Sequence, residues 1–196
     1  MYLKIYNGSD YMHYYPMTIG KAERQLPICP VTEDLYIGAF VVFGDYELTV
    51  ECASELLKKA PEHDYIITAE AKGIPIIHEM ARQNGEKRYM LARKAPKLYM
   101  TGVFEVNVRS ITTAKEQKLY LDKADAELMK GKRILIVDDV ISTGESLAAL
   151  EELVKQAGGN IVGKMAVLAE GDAKDRDDII YIKPLPLFNA DGTVKE

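Results

Sequence analysis

A chain of 196 residues, 47% hydrophobic and 28% charged, has the make-up of an ordinary globular protein, with length for one domain and a small appendage. A net charge of -5 argues against a general nucleic-acid binder, although it leaves room for a local basic site. No run of 18 apolar residues appears and the start, Met1 to Tyr6, lacks the regions of a signal peptide; Cys29 and Cys52 form neither a disulfide framework nor a metal pattern, so a reduced cytoplasm is the expected setting.

Residues 1–44 are rich in tyrosine, proline and glycine and carry short strand-like runs. Leu3–Tyr6 and Tyr11–Tyr15 suit a hairpin around Asn7-Gly8, and Leu35–Phe43 reads as a strand. This part is expected to be a small β-rich subdomain, with the main unit over 45–196. From Tyr46 the pattern changes. Tyr46, Val50, Ala53, Leu57 and Ala60 have helical spacing, and Pro61 stops the run. Tyr65–Thr68 is a predicted strand, Ile74–Asn84 a helix ended by Gly85, and Arg88–Ala92 a strand. Residues 95–121 hold polar and strand-like runs with no helical period. Gly131-Lys132 turns into a strand at Ile134–Val137, Leu147, Leu150, Leu153, Val154 and Ala157 line one face of a helix ended by Gly158-Gly159, and Ile161–Ala169 and Ile179–Ile182 are further strands. Strands alternating with helices predict an α/β fold, its mostly parallel central sheet flanked by helices.

The chemistry concentrates in Lys132 to Ser146. Four apolar residues, Ile134 to Val137, suit a strand buried on both faces, and ligands of open α/β sheets sit beyond the carboxyl ends of such strands. Asp138 and Asp139 fall at that end. The turn Ser142-Thr-Gly-Glu-Ser146 then opens a helix, where backbone N–H groups and the helix dipole favour an anion. Acids beside an anion-binding turn suit a ligand with hydroxyls at one end and a phosphate at the other, such as a ribose phosphate. A receiver domain also opens with strand, Asp, Asp, but too few residues follow Asp139 here for such a domain. Neither a Walker loop nor a Gly-x-Gly-x-x-Gly dinucleotide fingerprint is present.

This stretch resembles the signature of type I phosphoribosyltransferases. The resemblance implies that fold, with the N-terminal part as a hood over the base. It further implies that Asp138 and Asp139 hold the ribose hydroxyls of phosphoribosyl pyrophosphate, and that Ile141, Ser142, Thr143, Gly144, Glu145 and Ser146 cradle its 5′-phosphate. Mg²⁺, carried by that substrate and the two aspartates, is the implied cofactor.

Two further loops fit this family. Glu70-Ala-Lys-Gly73 follows a predicted strand and resembles the Glu-Ala-Arg-Gly pyrophosphate loop of adenine phosphoribosyltransferases, with Lys72 in place of arginine; Glu70, Ala71, Lys72 and Gly73 are thereby pyrophosphate candidates. Arg93, Lys94 and Lys97 follow the next strand and resemble the Val-Arg-Lys-x-x-Lys segment of adenine and xanthine enzymes. The same residues also fit an ordinary structural turn and a solvated basic loop.

The interval Arg109 to Lys118 corresponds to a closing loop, in which Ser110 and Lys115 are candidates for pyrophosphate and which also fits an exposed hairpin. It is more similar to the xanthine enzymes than to the adenine ones, and no catalytic glutamate carries over. Leu26 and Ile28 are candidates for the base hood, or for packing. Glu170, after the strand ending at Ala169, is placed to accept from a base amino group, or is a solvated strand-end charge. His13, His63 and His78 lack ligand spacing.

The implied activity is transfer of 5-phosphoribosyl from phosphoribosyl pyrophosphate to a purine, with release of pyrophosphate. Adenine is the first expectation, xanthine or guanine the next, and a homodimer without nucleic-acid or membrane partners the expected form. A non-catalytic regulator that senses phosphoribosyl pyrophosphate is the other class this fold admits.

Overall fold

A computed structural model describes residues 13–109 and 116–195. Its centre is a five-stranded, wholly parallel sheet ordered β10-β9-β8-β4-β5. The strands are β4 (Tyr65–Ala69), β5 (Met90–Ala92), β8 (Arg133–Ile141), β9 (Asn160–Glu170) and β10 (Ile180–Leu185). Strand side chains alternate between faces, and β8 divides its apolar residues accordingly. Ile134 and Ile136 enter one core with Leu147, Leu150 and Leu153 of α4 (Glu145–Gln156). Leu135 and Val137 enter the other, with Leu48 and Leu56 of α1 (Tyr46–Leu57) and Ile76 and Met80 of α2 (Gly73–Asn84). All four β8 side chains are fully buried, so truncating Ile136 to alanine is expected to cost about 2–5 kcal/mol.

The helix ends have identifiable causes. The Asp45 side chain accepts from Leu48 N at 3.0 Å to cap α1, and also receives the Arg24 guanidinium at 2.6 and 2.8 Å, which ties the helix to the small sheet. Gly85, at φ 71°, ends α2 as the sequence predicts.

The small sheet is antiparallel, ordered β1-β2-β3-β11, from β1 (Tyr14–Ile19), β2 (Ala22–Pro30), β3 (Tyr36–Gly38) and β11 (Leu187–Phe188). Its last strand comes from beyond residue 185, so both ends of the described chain build it. The hairpin expected around Asn7-Gly8 lies mostly outside the described residues. The described hairpin turns at Gly20-Lys21, with Gly20 at φ 54° and Lys21 N donating to Glu51 of α1 at 3.0 Å. The strand predicted over Leu35–Phe43 shrinks to β3. Past Gly38 only Ala39 bonds back, to Pro27 O at 2.9 Å; Phe40 and Val42 then turn into the core while Val41 and Phe43 face outward.

The region 95–121 resolves into a hairpin, β6 (Val103–Arg109) with β7 (Glu116–Asp122), followed by the short helix α3 (Lys123–Met129), which the apolar pattern does not announce. Asp122 caps α3 by accepting from Ala124 N at 3.0 Å. A 3-10 turn, Gly171–Asp175, follows β9. Among the described residues no helix is long and apolar enough to cross a membrane.

Candidate active site

Because every strand of the main sheet points the same way, the loops after β4, β5, β8 and β9 emerge at one edge. Asp138 and Asp139 lie near the carboxyl end of β8, which runs on to Ile141. Asp139 is only 6% exposed, and its carboxylate forms an ion pair with the Lys72 ammonium, which arrives from the loop after β4. Lys72 Nζ also donates to Phe40 O at 3.2 Å. Asp138 accepts from the backbone N of Asp139 at 2.9 Å. Burial, and then the neighbouring Asp139 charge, push the Asp138 carboxyl up to about 7. At neutral pH the acid pair therefore holds part of a proton, one carboxyl on a cation and the other near its titration point.

The next turn is an anion site by geometry. Gly144 is the N-cap of α4 at φ 81°, and Ala148 N reaches back to Gly144 O at 2.9 Å, so the first-turn N–H groups of the helix are left for another acceptor. A cavity of about 110 Å³ lies on this turn, lined by Asp138, Val140 and the run Ile141 to Leu147. Burial raises the Glu170 carboxyl at the end of β9, against the lowering effects of Ser142 and Lys72.

Across the edge, Glu70 organises the cationic loop. It accepts from Arg93 Nη1 at 3.0 Å and from Lys94 N at 2.7 Å, with Lys97 Nζ at 4.0 Å, while its own N donates to Ala92 O at 2.9 Å. The Glu70–Ala71 peptide bond is cis. Gly73 packs so closely on Thr68 that a Cβ there would penetrate the Thr68 Oγ1 atom. A second cavity, about 320 Å³, is lined by Ala69, Lys94, Lys118, Leu119 and Ser146. One cavity thus has a basic wall from the β5 loop and a hydroxyl from the helix turn.

Residues 49–191 match the family model of the phosphoribosyl transferase domain. The chain belongs to the phosphoribosyltransferase family. It is 34% identical over 158 residues to the hypoxanthine/guanine phosphoribosyltransferase of Methanothermococcus okinawensis, covering 80% of this chain and 79% of that protein. To the xanthine phosphoribosyltransferase of Clostridioides difficile it is 33% identical over 114 residues, 58% of this chain and 59% of that one. Across such curated relatives the match spans from 56% to 83% of their length. In fold it is similar to the adenine phosphoribosyltransferase of Thermoanaerobacter pseudethanolicus, with TM-score 0.61 at 19% identity over 90% of this chain and 98% of that one. The architecture is therefore the type I phosphoribosyltransferase fold that the sequence predicts, with an antiparallel sheet at the N-terminal side.

Within that fold, the structure brings the acid pair, Lys72 and residues 141–146 together at one edge. Glu70, named above as a pyrophosphate candidate, accepts from the cationic loop. Arg93 divides its guanidinium between Glu70 and the Tyr99 hydroxyl, the latter at 3.1 Å from Nε. Lys94 lines the larger cavity. Leu26 and Ile28 are 4% and 6% exposed, and Leu26 lies in the apolar core with Met17 and Leu185, so both stand as packing residues rather than as walls of the crevice. Glu170 is 9% exposed instead of standing as a solvated strand end. Ser110 and Lys115 lie outside the described residues.

Sequence reading passed over Tyr99 and Arg176. Arg176 sits after β9 in the acidic run Asp172 to Asp178, where two cations, Lys174 and Arg176, among four acids were the available signal. For Tyr99 there was none, since its role depends on where Arg93 folds back.

Proposed function

We propose that the chain transfers 5-phosphoribosyl from phosphoribosyl pyrophosphate to a purine ring nitrogen and releases pyrophosphate. The observation that carries this is the shared edge: a buried acid pair and a helix-turn anion site beside a cavity with a basic wall. That order matches a ligand with phosphate at one end, sugar hydroxyls in the middle and pyrophosphate at the other.

The residue roles follow from charge. The turn 141–146 binds the 5′-phosphate. Asp138 and Asp139 accept from the ribose hydroxyls, and their negative charge stabilises the positive charge that grows at the anomeric carbon as the leaving group departs. Lys72 and Lys94 stabilise the departing pyrophosphate. With its carboxyl raised to about 7, Asp138 is suited to take the proton that the purine nitrogen loses.

Among the described residues no group of three or more His, Cys, Asp or Glu is placed to hold a metal. The two aspartates suit a Mg²⁺ that brings most of its oxygen ligands with the substrate. Bound there, such an ion would neutralise charge on the leaving group.

For the base, we favour a 6-oxopurine over adenine. Relatives above 30% identity include hypoxanthine/guanine and xanthine enzymes. Glu170, the candidate acceptor from a base amino group, is 9% exposed. A homodimer is the proposed assembly, checked by light scattering. Pyrophosphate release from phosphoribosyl pyrophosphate with hypoxanthine, guanine, xanthine and adenine in turn tests the reading. Release with a 6-oxopurine supports it; release with adenine alone keeps the reaction and reverses the base. No release with any base points to a non-catalytic sensor.

A further inference from the structure

Arg176 lies just past the 3-10 turn that follows β9, and its guanidinium rests on the turn before α4. A Cβ built at Gly144 would stand 2.5 Å from Arg176 Nη1. The other two nitrogens are held elsewhere: Nε donates to Asp178 Oδ1 at 2.9 Å and Nη2 to Asp178 Oδ2 at 2.8 Å. Asp178 is itself paired with Lys164 of β9, and Lys164 reaches Glu151 of α4 at 3.3 Å. This chain of charges links β9 to α4 and fixes the plane of the guanidinium, so that its third nitrogen is presented to Gly144.

We propose that Arg176 is a binding residue for the 5′-phosphate of the sugar substrate, donating from Nη1 across Gly144. The proposal rests on the phosphoribosyl reading above and deepens it.

The charges near the turn call for such a group. Glu145 and Asp138 line the cavity on this turn. A phosphate dianion entering that cavity is favoured by added positive charge beside the turn. Lys72 is the cation of the acid pair. Arg176 lies against Gly144, which lines that cavity, and a fixed guanidinium is the group best shaped to donate to phosphate oxygens. A surface ion pair with Asp178 alone would satisfy Arg176 in many rotamers; it would not require the guanidinium to lie against a glycine of the anion turn.

The test compares wild type with R176Q, R176K and D178N, reading ribose 5-phosphate binding by calorimetry, steady-state kinetics, and the urea midpoint of each variant. R176Q is expected to weaken ribose 5-phosphate binding and raise KM for phosphoribosyl pyrophosphate about tenfold, or ~1.4 kcal/mol. Its kcat should stay within about twofold and its KM for the base should not move. R176K should recover part of the loss, and D178N, which frees the guanidinium, should weaken binding about threefold. Equal ribose 5-phosphate affinity in wild type and R176Q overturns the role of Arg176 while leaving the activity standing, as does a change confined to the base. If R176Q does not fold, D178N decides, and unchanged affinity there overturns the proposal. Wild-type protein that neither binds ribose 5-phosphate nor releases pyrophosphate overturns both readings.

Discussion

Lys72 and Asp139 meet across the sheet edge as an ion pair in which the carboxylate is 8% exposed and the ammonium 41%. The lysine comes from the loop after β4 and the aspartate from β8, so one contact joins the pyrophosphate candidate to the ribose candidate. On this account the pair opens when substrate arrives, as the ammonium turns to pyrophosphate and the carboxylate to the sugar hydroxyls.

Lys72→Met should therefore lower kcat/KM for phosphoribosyl pyrophosphate by about 100-fold or more. Stability should fall by only ~1–2 kcal/mol, because the ammonium is partly in water and the loss of a fully buried partner must be discounted accordingly. Kinetics and urea denaturation on the same preparation check both. A large loss of stability with little loss of activity would make Lys72 a structural residue.

Asp138 should make the folded state less stable as pH rises. Its carboxyl lies near 7 in the fold, against 3.8 when unfolded, so the native state binds the extra proton between those values. Stability from this group is then full below about 4 and is lost as pH rises through 7. Asp138→Asn should melt above wild type at pH 8 by at least about 3 °C, with no difference near pH 4. Parallel melting curves that never diverge would count against a raised carboxyl.

His63 and Glu86 form a second pH-sensitive pair, away from the edge. The Glu86 carboxylate raises the His63 imidazole, with Nε2 to Oε1 at 2.9 Å; burial opposes Glu86 ionisation, but its bonds to His63 and Asn84 leave it lowered overall. The His63 contribution is full below its unfolded value of 6.5 and is lost as pH rises through the raised folded value. The Glu86 contribution is present above 4.5 and is lost as pH falls through its lowered value. His63→Gln should cost most stability between about pH 5 and 6.5 and much less at pH 9. Melting temperatures across that range decide it, and a constant difference would show that the pair does not ionise.

Gly73→Ala should overpack the start of α2, since the new methyl would penetrate the fully buried Thr68 hydroxyl. A loss of about 1–3 kcal/mol is expected. Combining it with Thr68→Ala, which removes the clashing oxygen, should recover part of the loss in a double-mutant cycle. Simple additivity of the two changes would argue against the clash.

Much of the edge was legible because its chemistry is contiguous in sequence. Ile134 to Ser146 carries strand, acids and turn within one run, and the apolar period alone gave the buried β8. The Thr68–Gly73 and Arg93–Lys97 loops were legible as candidates through their positions after strands. The pairings were not legible. That Glu70 would hold Arg93, or that Lys72 would lie on Asp139, depends on β4 sitting between β5 and β8, and no local pattern states that order. Glu170 read as a base contact or a solvated charge because its strand end was visible, while its burial depends on what packs over that end. The small sheet was partly legible: β1 overlaps the tyrosine-rich run expected at Tyr11–Tyr15 and β3 the strand expected at Leu35–Phe43, but the nine-residue β2 was not anticipated, and β11 returns from 187–188, where a two-residue strand has no period to read. The helix α3 was hidden for the same reason, with only Ala126 and Met129 buried.

The central claim is group transfer, and product identity tests it most directly. Protein incubated with Mg²⁺, phosphoribosyl pyrophosphate and hypoxanthine or guanine should form the matching nucleoside 5′-monophosphate and pyrophosphate in equal amounts, measured by chromatography. Pyrophosphate without nucleotide, or neither product with any purine, would contradict the account.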